Sequence, residues 1–232
     1  MFLNDEEGKI MKIRLLKYLE NLEKLAELII SYIALALGLE KTHFLDLFSQ
    51  KSGDHANYYF RAFNYPTFDP SKNPSTWGVA EHTDAGFLTL LKQDNSGGLE
   101  FFDNHEKIWV SAPPVENTFV VNIGDMLERW THGLFIATRH RVRNTNYQSD
   151  RLSMPFFYDP SFSTKLKPVG VGRLSDDLQE ILKNNGSKYK SELREWDGMK
   201  MDDLDEEMTY EEYFKSKVVR IYPKLFEKYV DS

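Results

Sequence analysis

The chain has 232 residues, of which 41% are hydrophobic, so it is long enough to bury one sizeable core. Its formal net charge of −7 at pH 7 is the wrong sign for a protein that binds nucleic acid or an anionic membrane surface, and we expect neither partner. The absence of cysteine excludes disulfide scaffolds, zinc–thiolate sites and thiol nucleophiles, and it fits a reducing compartment.

The first predicted element is an amphipathic helix from Lys9 to Leu39. Its leucines and isoleucines recur at steps of three and four residues, at Ile13, Leu16, Leu19, Leu22, Leu25, Leu28 and Ile29. Gly38 predicts the end of this helix, and THFLDLF at 42–48 predicts a second, short one. We therefore expect an N-terminal helical segment over residues 1–53.

The longest apolar window is LIISYIALALGL at 28–39, about a dozen residues where a bilayer span needs roughly 20. It follows a charged helical segment rather than a short basic start, so it does not resemble a secretory signal. This pattern predicts a buried helix in a soluble, cytoplasmic protein.

The next segment, residues 54–165, is predicted to be a β-rich core. Turn formers such as those at 94–98 separate about eight short runs rich in β-branched and aromatic residues. Without a β–α–β alternation, these runs favour a sandwich or barrel, and a double-sheet jelly roll arranges them economically. The runs are YYFRAF, GVAEH, FLTLLKQ, LEFF, IWVSA, TFVVNIG, FIATRHRVR and LSMPFFY.

The last segment, residues 166–232, turns polar and helical. It contains an acidic patch at Asp202, Asp203, Asp205, Glu206 and Glu207 and predicts an amphipathic helix around residues 213–229. The whole chain is thus expected to be mainly β with flanking helices.

A histidine and an aspartate two positions apart, His82 and Asp84, stand at the end of one predicted strand. Residues i and i+2 of a strand share a face, so both side chains can reach one ion if the chain turns there. A third ligand is needed, and His140 lies in the strand-like run ATRHRVRN. Two histidines and one carboxylate on one face of an octahedron are the arrangement of non-haem iron(II) oxygenases.

An H-x-D triplet also occurs often by chance, as a plain loop or strand end. The remaining histidines are weaker candidates, because His55 precedes the first strand and His105 lies in a turn. His132 sits at a predicted turn and is a minor candidate for a pocket residue. Gly124 and Asp125 are interpreted as a turn without chemistry.

An arginine whose guanidinium group could bind a carboxylate, Arg151, follows the third candidate ligand. Arg151 and Ser153 are again two positions apart on a predicted strand, and an arginine guanidinium can bind a carboxylate through two hydrogen bonds. Taken alone, an R-x-S triplet is typical of an exposed strand start. After His140, the pair predicts a site for a small dicarboxylate.

Four stretches, VAEHTDAGFLTLLKQDNSGGLEFF, VVNIGDMLERWTHG, TRHRV and RLSMPFFYDP, resemble in this order the motifs of one family. It is the iron(II)/2-oxoglutarate-dependent dioxygenase family of the isopenicillin N synthase-like superfamily, which includes plant flavonoid and gibberellin oxidases and the ethylene-forming oxidase. The resemblance runs from about Phe60 to Phe162, with a weaker echo in YEEYFKSKVVRIYP. These motifs are specific for the family and say little about the substrate.

The resemblance implies a double-stranded β-helix, a jelly roll of the cupin kind, in which His82, Asp84 and His140 bind iron(II). It implies that Arg151 and Ser153 bind the distal carboxylate of 2-oxoglutarate, helped by Tyr65 of FNYP. The implied enzyme is an oxidoreductase that uses dioxygen to hydroxylate or otherwise oxidise a small organic substrate, releasing succinate and CO2.

The chain departs from the family pattern in two places. Many plant members carry an asparagine near the metal two positions before the tyrosine, whereas this chain has Phe63 there, with Asn64 one place along. The family's usual N-terminal segment, which reads like P-V-I-D-L, is not found before the helix near Lys9. The sequence therefore predicts either a short form or a fragment.

Aromatic residues near these motifs are candidates for the substrate pocket, although strand aromatics are more often plain core. Phe157 is the better candidate, since it keeps the two-residue phase of Arg151 and Ser153. Phe87 is a second candidate, and Phe156 and Trp130 are weaker ones.

Three alternatives compete with the 2-oxoglutarate-dependent reaction. The first is an iron oxidase of the isopenicillin N synthase or ethylene-forming type, which takes electrons from its substrate or from ascorbate. The second is a catalytically silent jelly-roll binding module, which would have no need to retain all three metal ligands. The third, a zinc hydrolase, ranks last because no general base is evident and the Arg151 fork would have no purpose.

Overall fold

Two antiparallel sheets packed face to face, with helices outside them, form the protein. The computed structural model describes residues 5–48, 55–67, 69, 71, 77–143, 149–185 and 207–221. Its helices are α1 (Glu6–Ala36), α2 (His43–Phe48), α3 (Asp125–Trp130), α4 (Asp176–Asn185) and α5 (Tyr210–Ile221), with a 3-10 turn at Val171–Arg173. Its strands are β1 (Asn57–Phe60), β2 (Phe63–Tyr65), β3 (Trp77–His82), β4 (Leu88–Gln93), β5 (Leu99–Asp103), β6 (Ile108–Ser111), β7 (Val120–Ile123), β8 (His140–Arg143) and β9 (Arg151–Asp159).

The larger sheet has the strand order β1-β9-β4-β7, and β2 also pairs with β9. The smaller sheet has the order β3-β8-β5-β6. Sequence neighbours are repeatedly separated in space and the described strands pair antiparallel, as expected for a jelly roll rather than a meander. The predicted fold class, mainly β with flanking helices and a jelly-roll core, is confirmed.

The long β9 strand shows why the fold forms, because its two faces have different partners. Phe156 and Tyr158 point away from the smaller sheet, toward α1 and α2. There they join the main hydrophobic core with Leu88 and Leu90 of β4. The alternate residues of β9 point between the sheets, since side chains of a strand alternate in direction. The space between the sheets is therefore lined by the odd-numbered residues of β9, from Arg151 to Asp159.

Helices α1 and α2 cover the outer face of the larger sheet. From α1 the core receives Leu22, Ala26, Ile30, Ile33 and Ala34, at the three- and four-residue steps of a helix face. Phe44 and Phe48 of α2 pack there too, and the Phe44 ring lies 5.2 Å from Phe87. Burying large aromatic side chains of this kind is the main favourable contribution to folding.

Both ends of α1 are capped by side-chain and backbone groups. At its start the carboxylate of Asp5 accepts a hydrogen bond of 2.8 Å from the Gly8 amide. At its end Gly38 adopts φ 77°, which suits glycine, and Leu39 N–H bonds to Ala34 C=O. This is a Schellman ending, and it confirms the predicted stop at Gly38.

The amphipathic helix predicted from Lys9 to Leu39 is found at Glu6–Ala36, but three of its apolar residues do not reach the core. Ile13, Leu16 and Leu28 are exposed, at 68%, 55% and 45%. Within the described ranges, the first turns of α1, which hold Ile13 and Leu16, extend past the edge of the core. The sequence period alone does not say where a partner surface ends.

The region after β7 also differs from the prediction. A turn was expected at Gly124 and Asp125, and a strand over FIATRHRVR, but α3 begins at Asp125 and β8 covers only His140–Arg143. The start of α3 is fixed by backbone bonds to a distant loop, from Gly124 N to Phe87 O and from Met126 N to Gly86 O. These tertiary bonds leave no signal in local sequence.

The C-terminal part contributes to the same core. Tyr210 and Tyr213 of α5 are 1% and 0% exposed and belong to the main cluster. The predicted helix at 213–229 is thus found at 210–221, and the rest of that helix lies outside the described residues. Of the acidic patch at 202–207, Glu207 is described and forms an ion pair with Lys165, while the other acids lie outside the described residues. The division into segments 1–53, 54–165 and 166–232 stays a prediction.

No helix in the described part of the chain is both long enough and apolar enough to cross a membrane.

Candidate metal centre

Three side chains from two strands of the smaller sheet and one loop meet at a single point. His82 is the last residue of β3, His140 is the first of β8, and the two are direct partners across the sheet. Asp84 follows β3, and its Oδ1 lies 3.8 Å from His82 Nε2 and 3.7 Å from His140 Nε2. All three ligand atoms lie within 4.8 Å of one another.

This spacing fits one ion. Metal bonds of about 2.1 Å at right angles place neighbouring ligand atoms about 3 Å apart. The distances from Asp84 Oδ1 to the two imidazole nitrogens are slightly longer than that value, by an amount that small side-chain rotations can close. Two imidazoles and a carboxylate on one side leave the other coordination positions free, as in the facial triad of non-haem iron.

Backbone carbonyls fix which ring nitrogen of each histidine faces the site. His82 Nδ1 lies 2.9 Å from Ala80 O, and His140 Nδ1 lies 3.0 Å from Thr138 O. Since a carbonyl only accepts, each Nδ1 carries the hydrogen and each Nε2 keeps its lone pair. Burial, and then the neighbouring His140, lower the pKa of His82 to about 4, so its ring is neutral at physiological pH. Neutral imidazole is the form that binds metals.

The Asp84 carboxylate is held by two donors on the larger sheet. Thr89 Oγ1 donates to Asp84 Oδ2 at 2.7 Å, and Asn122 Nδ2 approaches the same oxygen at 3.5 Å. Thr89 and Asn122 are themselves partners across β4 and β7. With Oδ2 occupied, Oδ1 is the oxygen left to face the two histidines.

A buried lysine of α5 fastens the loop between the first two ligands. Lys217 is 6% exposed, and its Nζ donates to Thr83 O at 2.9 Å and to Thr83 Oγ1 at 3.0 Å. The same ammonium forms an ion pair with the buried Asp125 carboxylate. Asp125 also accepts a hydrogen bond from Tyr213, and its amide donates to Asp84 O at 2.9 Å. Thr83 lies directly between His82 and Asp84, so this network sets the position of both.

Replacing Lys217 by methionine is expected to destabilise the protein by about 3 kcal/mol or more, because Asp125 then stays buried without its charge partner. Iron(II) affinity is expected to fall roughly 10- to 100-fold, as for other groups that orient ligands. Urea unfolding and iron titration measure the two effects. Lys215→Met, on the exposed side of the same helix, is the control and should change both by little. Iron affinity equal to that of the wild type would contradict the positioning role.

The candidate carboxylate site lies on the inner face of the larger sheet. Arg151 and Ser153 are 2% and 4% exposed, and Tyr65 pairs directly with Arg151 across β2 and β9. Arg151 Nε donates to Gly97 O at 2.6 Å, and Nη2 lies 3.4 Å from Gln93 Oε1. The guanidinium carbon lies 5.0 Å from the centre of the Tyr65 ring. These contacts fix the plane of the Arg151 guanidinium group in the absence of a ligand.

One nitrogen of this fork has no acceptor. Arg151 Nη1 is buried and makes no hydrogen bond within the described part of the chain. A buried charged donor without an acceptor is costly, and it indicates a position for an anion. A carboxylate placed there would satisfy Nη1, so these residues fit a 2-oxoglutarate-like ligand.

A further buried acid, Asp159, ends β9 on the same inner face. Its Oδ1 accepts from the Phe87 amide at 2.8 Å, and its Oδ2 accepts from the Tyr210 hydroxyl at 3.0 Å. The carboxylate lies so close to Gly86 that a Cβ there would stand 1.6 Å from Oδ1, which makes Gly86 necessary. Burial raises the pKa of Asp159 from 3.8 to about 7, although both donors lower it.

Asp159→Asn is expected to alter how stability depends on pH. Because folding raises the pKa of this acid, its ionised form is disfavoured in the native state. Stability is therefore lost as pH rises from about 4 to about 7, by up to about 4 kcal/mol. The variant lacks this loss and should be more stable than the wild type at pH 8. Urea unfolding of the metal-free proteins at pH 5 and pH 8 measures the difference, and identical pH dependence of the two would contradict it.

The other predicted residues have mixed outcomes. Phe87 was a candidate pocket residue, but it is 0% exposed and packs against Phe44, Phe48 and Trp130, so that interpretation is wrong. It precedes β4, where the chain enters the core rather than the space between the sheets. His132, a minor candidate for a pocket residue, follows α3, and its Nε2 lies 2.6 Å from Val169 O. Phe157 lies on the inner face and stacks on Tyr59 at 4.3 Å.

Sequence reasoning missed the residues that support the centre. Thr89 and Asn122 are polar residues within apolar strands, and Lys217 continues the apolar face of Tyr210 and Tyr213 at helical spacing. Such residues on otherwise apolar faces are the signal that could have found them. Asp125, interpreted as a turn residue, offered no such signal.

A family model described as the 2OG-Fe(II) oxygenase superfamily matches residues 56–160, which contain all six candidate metal and carboxylate residues. The chain is 34% identical over 224 residues to a probable iron/ascorbate oxidoreductase of Dictyostelium discoideum, covering 91% of this chain and 56% of that protein. It is 30% identical to a 1-aminocyclopropane-1-carboxylate oxidase of Dictyostelium mucoroides, covering 89% of this chain and 58% of the relative.

Among solved structures, it resembles the dioxygenase for auxin oxidation 1 of Arabidopsis thaliana in its binary complex with 2-oxoglutarate. The TM-score is 0.61 at 29% identity, over 75% of this chain and 60% of that one. The chain therefore spans a little over half the length of the relatives that it matches.

Proposed function

We propose that the chain is a member of the 2OG-Fe(II) oxygenase superfamily, whose model matches residues 56–160, and that it is an iron(II)- and 2-oxoglutarate-dependent oxygenase of a small organic substrate. The observation that carries the proposal is the pairing of two sites on facing sheets. One is the set of His82, Asp84 and His140, and the other is the buried Arg151 fork with a nitrogen that has no acceptor among the described residues.

In this proposal His82, Asp84 and His140 hold iron(II), while Arg151, Ser153 and Tyr65 hold the distal carboxylate of 2-oxoglutarate. When bound, the iron and 2-oxoglutarate supply the oxidation, in which dioxygen is consumed and succinate and CO2 are released. The protein's own work is positioning. Thr89 and Asn122 orient the Asp84 carboxylate, Ala80 and Thr138 fix the imidazoles, and Lys217 fastens the ligand loop.

Anaerobic titration of the metal-free protein with iron(II) and 2-oxoglutarate tests the proposal. A weak visible charge-transfer band that appears only with both additions is the expected result. Under air, succinate should then form in proportion to the substrate oxidised. Iron binding without a band, or oxygen consumption without succinate, would refute the assignment of 2-oxoglutarate.

A second candidate is an iron oxidase that uses ascorbate or its own substrate as the reductant. The relatives named iron/ascorbate oxidoreductase and 1-aminocyclopropane-1-carboxylate oxidase favour it. It predicts turnover with ascorbate and no succinate. A catalytically silent binding module is disfavoured because the three ligands converge and the matching family is one of oxygenases. The cytoplasmic location stays a prediction.

A further inference from the structure

A second row of side chains lies beside the Arg151 fork on the inner face of the larger sheet. β1 and β2 follow each other along the same side of β9, and both pair antiparallel with it. Tyr59 of β1 lies opposite Phe157, and Phe63 of β2 lies opposite Ser153. Between them Arg61 N donates to Pro155 O at 3.1 Å, so the alternation continues without a break in direction. The inward residues on this side are Asn57, Tyr59, Arg61, Phe63 and Tyr65.

This row is connected to the metal ligands across the sheet. Thr89, which holds Asp84, is the direct partner of Phe157, and Phe157 is the direct partner of Tyr59. Neighbouring strands are about 4.8 Å apart, so Tyr59 stands roughly 10 Å from Thr89. The pKa of Tyr59 is raised by burial and, to a smaller extent, by the charges of Asp159 and Asp84. Strand pairing thus links Tyr59, through Phe157 and Thr89, to the metal ligand Asp84.

A cavity opens at this row. Its volume is about 360 Å³, within the range of small-molecule sites. Its lining includes Tyr59 and Arg61 from the sheet, Asp159, and the aromatic rings of Phe162, Tyr210 and Phe214. Most of this surface is aromatic, so the cavity suits a ligand with an apolar body.

Arg61 brings a positive charge to this cavity, and among the described residues no carboxylate forms an ion pair with it. Its guanidinium lies over the rings of Tyr59 and Phe63, 5.8 Å and 6.0 Å from their centres. Asp159 is the acid in the lining, but both of its oxygens already accept hydrogen bonds from Phe87 and Tyr210. The cavity thus offers an arginine fork that is not engaged by an acid of the described residues.

We propose that the substrate of the oxygenase is a small monocarboxylic acid with an apolar body, and that Arg61 binds its carboxylate. This inference rests on the proposed function, since it identifies the substrate class for the same centre. A guanidinium binds a carboxylate through two charge-assisted hydrogen bonds, and the Arg61 guanidinium lies within cation–π distance of the Tyr59 and Phe63 rings. The aromatic lining packs the body of the acid, and the row Tyr59–Phe157–Thr89 connects this cavity with the residue that holds the metal ligand Asp84.

Matched acids and amides test this recognition. The probes are phenylacetate, 3-phenylpropionate, 4-phenylbutyrate and octanoate, each beside its primary amide, because amides keep the shape and lose the charge. Calorimetry is performed without oxygen on protein loaded with iron(II) and 2-oxoglutarate, so that Arg151 is already occupied. At least one acid should bind about 10-fold or more tightly than its amide.

Three variants decide which residue is responsible. Arg61→Gln should remove the preference for the acid while leaving amide binding unchanged, and Arg61→Lys should keep part of it. Arg14→Gln, at an exposed position of α1, is the matched control and should behave as wild type. If no acid binds more tightly than its amide, or if Arg61→Gln keeps the full preference, the inference is overturned.

Failure of this inference is distinguishable from failure of the proposed function. The charge-transfer band reports the iron and 2-oxoglutarate site in the same samples, and Arg61→Gln should retain it. A band without any acid preference refutes the substrate class alone. Absence of the band in the wild type refutes the proposed function, and with it the substrate assignment.

Discussion

Iron(II) binding is expected to be lost in Asp84→Ala, with an affinity at least about 100-fold below that of the wild type. Removal of the carboxylate leaves two imidazoles, and two ligands hold a divalent ion poorly. The loss should exceed the roughly 10- to 100-fold effect of removing a group that only orients a ligand. Anaerobic iron titration measures it, and the 2-oxoglutarate band should disappear together with the iron.

Asp176→Ala is the matched control for this substitution, because Asp176 is an aspartate in the first turn of α4, away from the metal centre. Its iron affinity should equal that of the wild type. Circular dichroism checks that both variants fold. Retention of tight iron binding by a folded Asp84→Ala protein would show that the three residues are not a metal site.

Binding of 2-oxoglutarate is expected to weaken in Arg151→Gln by about 2–4 kcal/mol, or roughly 30- to 1000-fold. The glutamine removes the charge and the nitrogen without an acceptor among the described residues, which are the features that indicate an anion. Iron binding should remain, since Arg151 lies on the larger sheet and the histidines on the smaller one. Titration of the iron-loaded protein with 2-oxoglutarate measures the change.

Arg151→Lys adds a second test, because it keeps the charge and loses the fork. Its affinity should fall between those of the wild type and Arg151→Gln. The exposed Arg14→Gln variant should bind 2-oxoglutarate normally. Unchanged affinity in Arg151→Gln would remove this residue from the cosubstrate site and favour the oxidase that works without 2-oxoglutarate.

The parts of the site that the sequence could predict depend on short-range geometry. His82 and Asp84 lie two positions apart, as do Arg151 and Ser153, and strand alternation places each pair together without knowledge of the rest. His140 could be added because it lies in a strand-like run, and it does face His82 across the smaller sheet. Local period and spacing were sufficient for these residues.

The parts that escaped prediction depend on contacts between distant segments. Helix α3 begins where the loop after β3 accepts its first amides, and Phe87 enters the core because α2 covers it. Exposure of the first turns of α1 likewise depends on where the sheet ends. No local pattern contains this information, since each case is decided by the partner segment.

The bond between Lys217 and Thr83 has a consequence for the order in which the protein is made. The two residues are 134 positions apart in the chain. At about 5–20 residues per second, the ribosome produces the ligand loop roughly 7 to 27 s before the lysine that fastens it. During that interval Lys217 has not been synthesised, so the loop that carries His82 and Asp84 lacks the hydrogen bonds from Lys217 to Thr83. Metal binding by a loop held in the geometry described above therefore requires a chain that extends at least as far as Lys217.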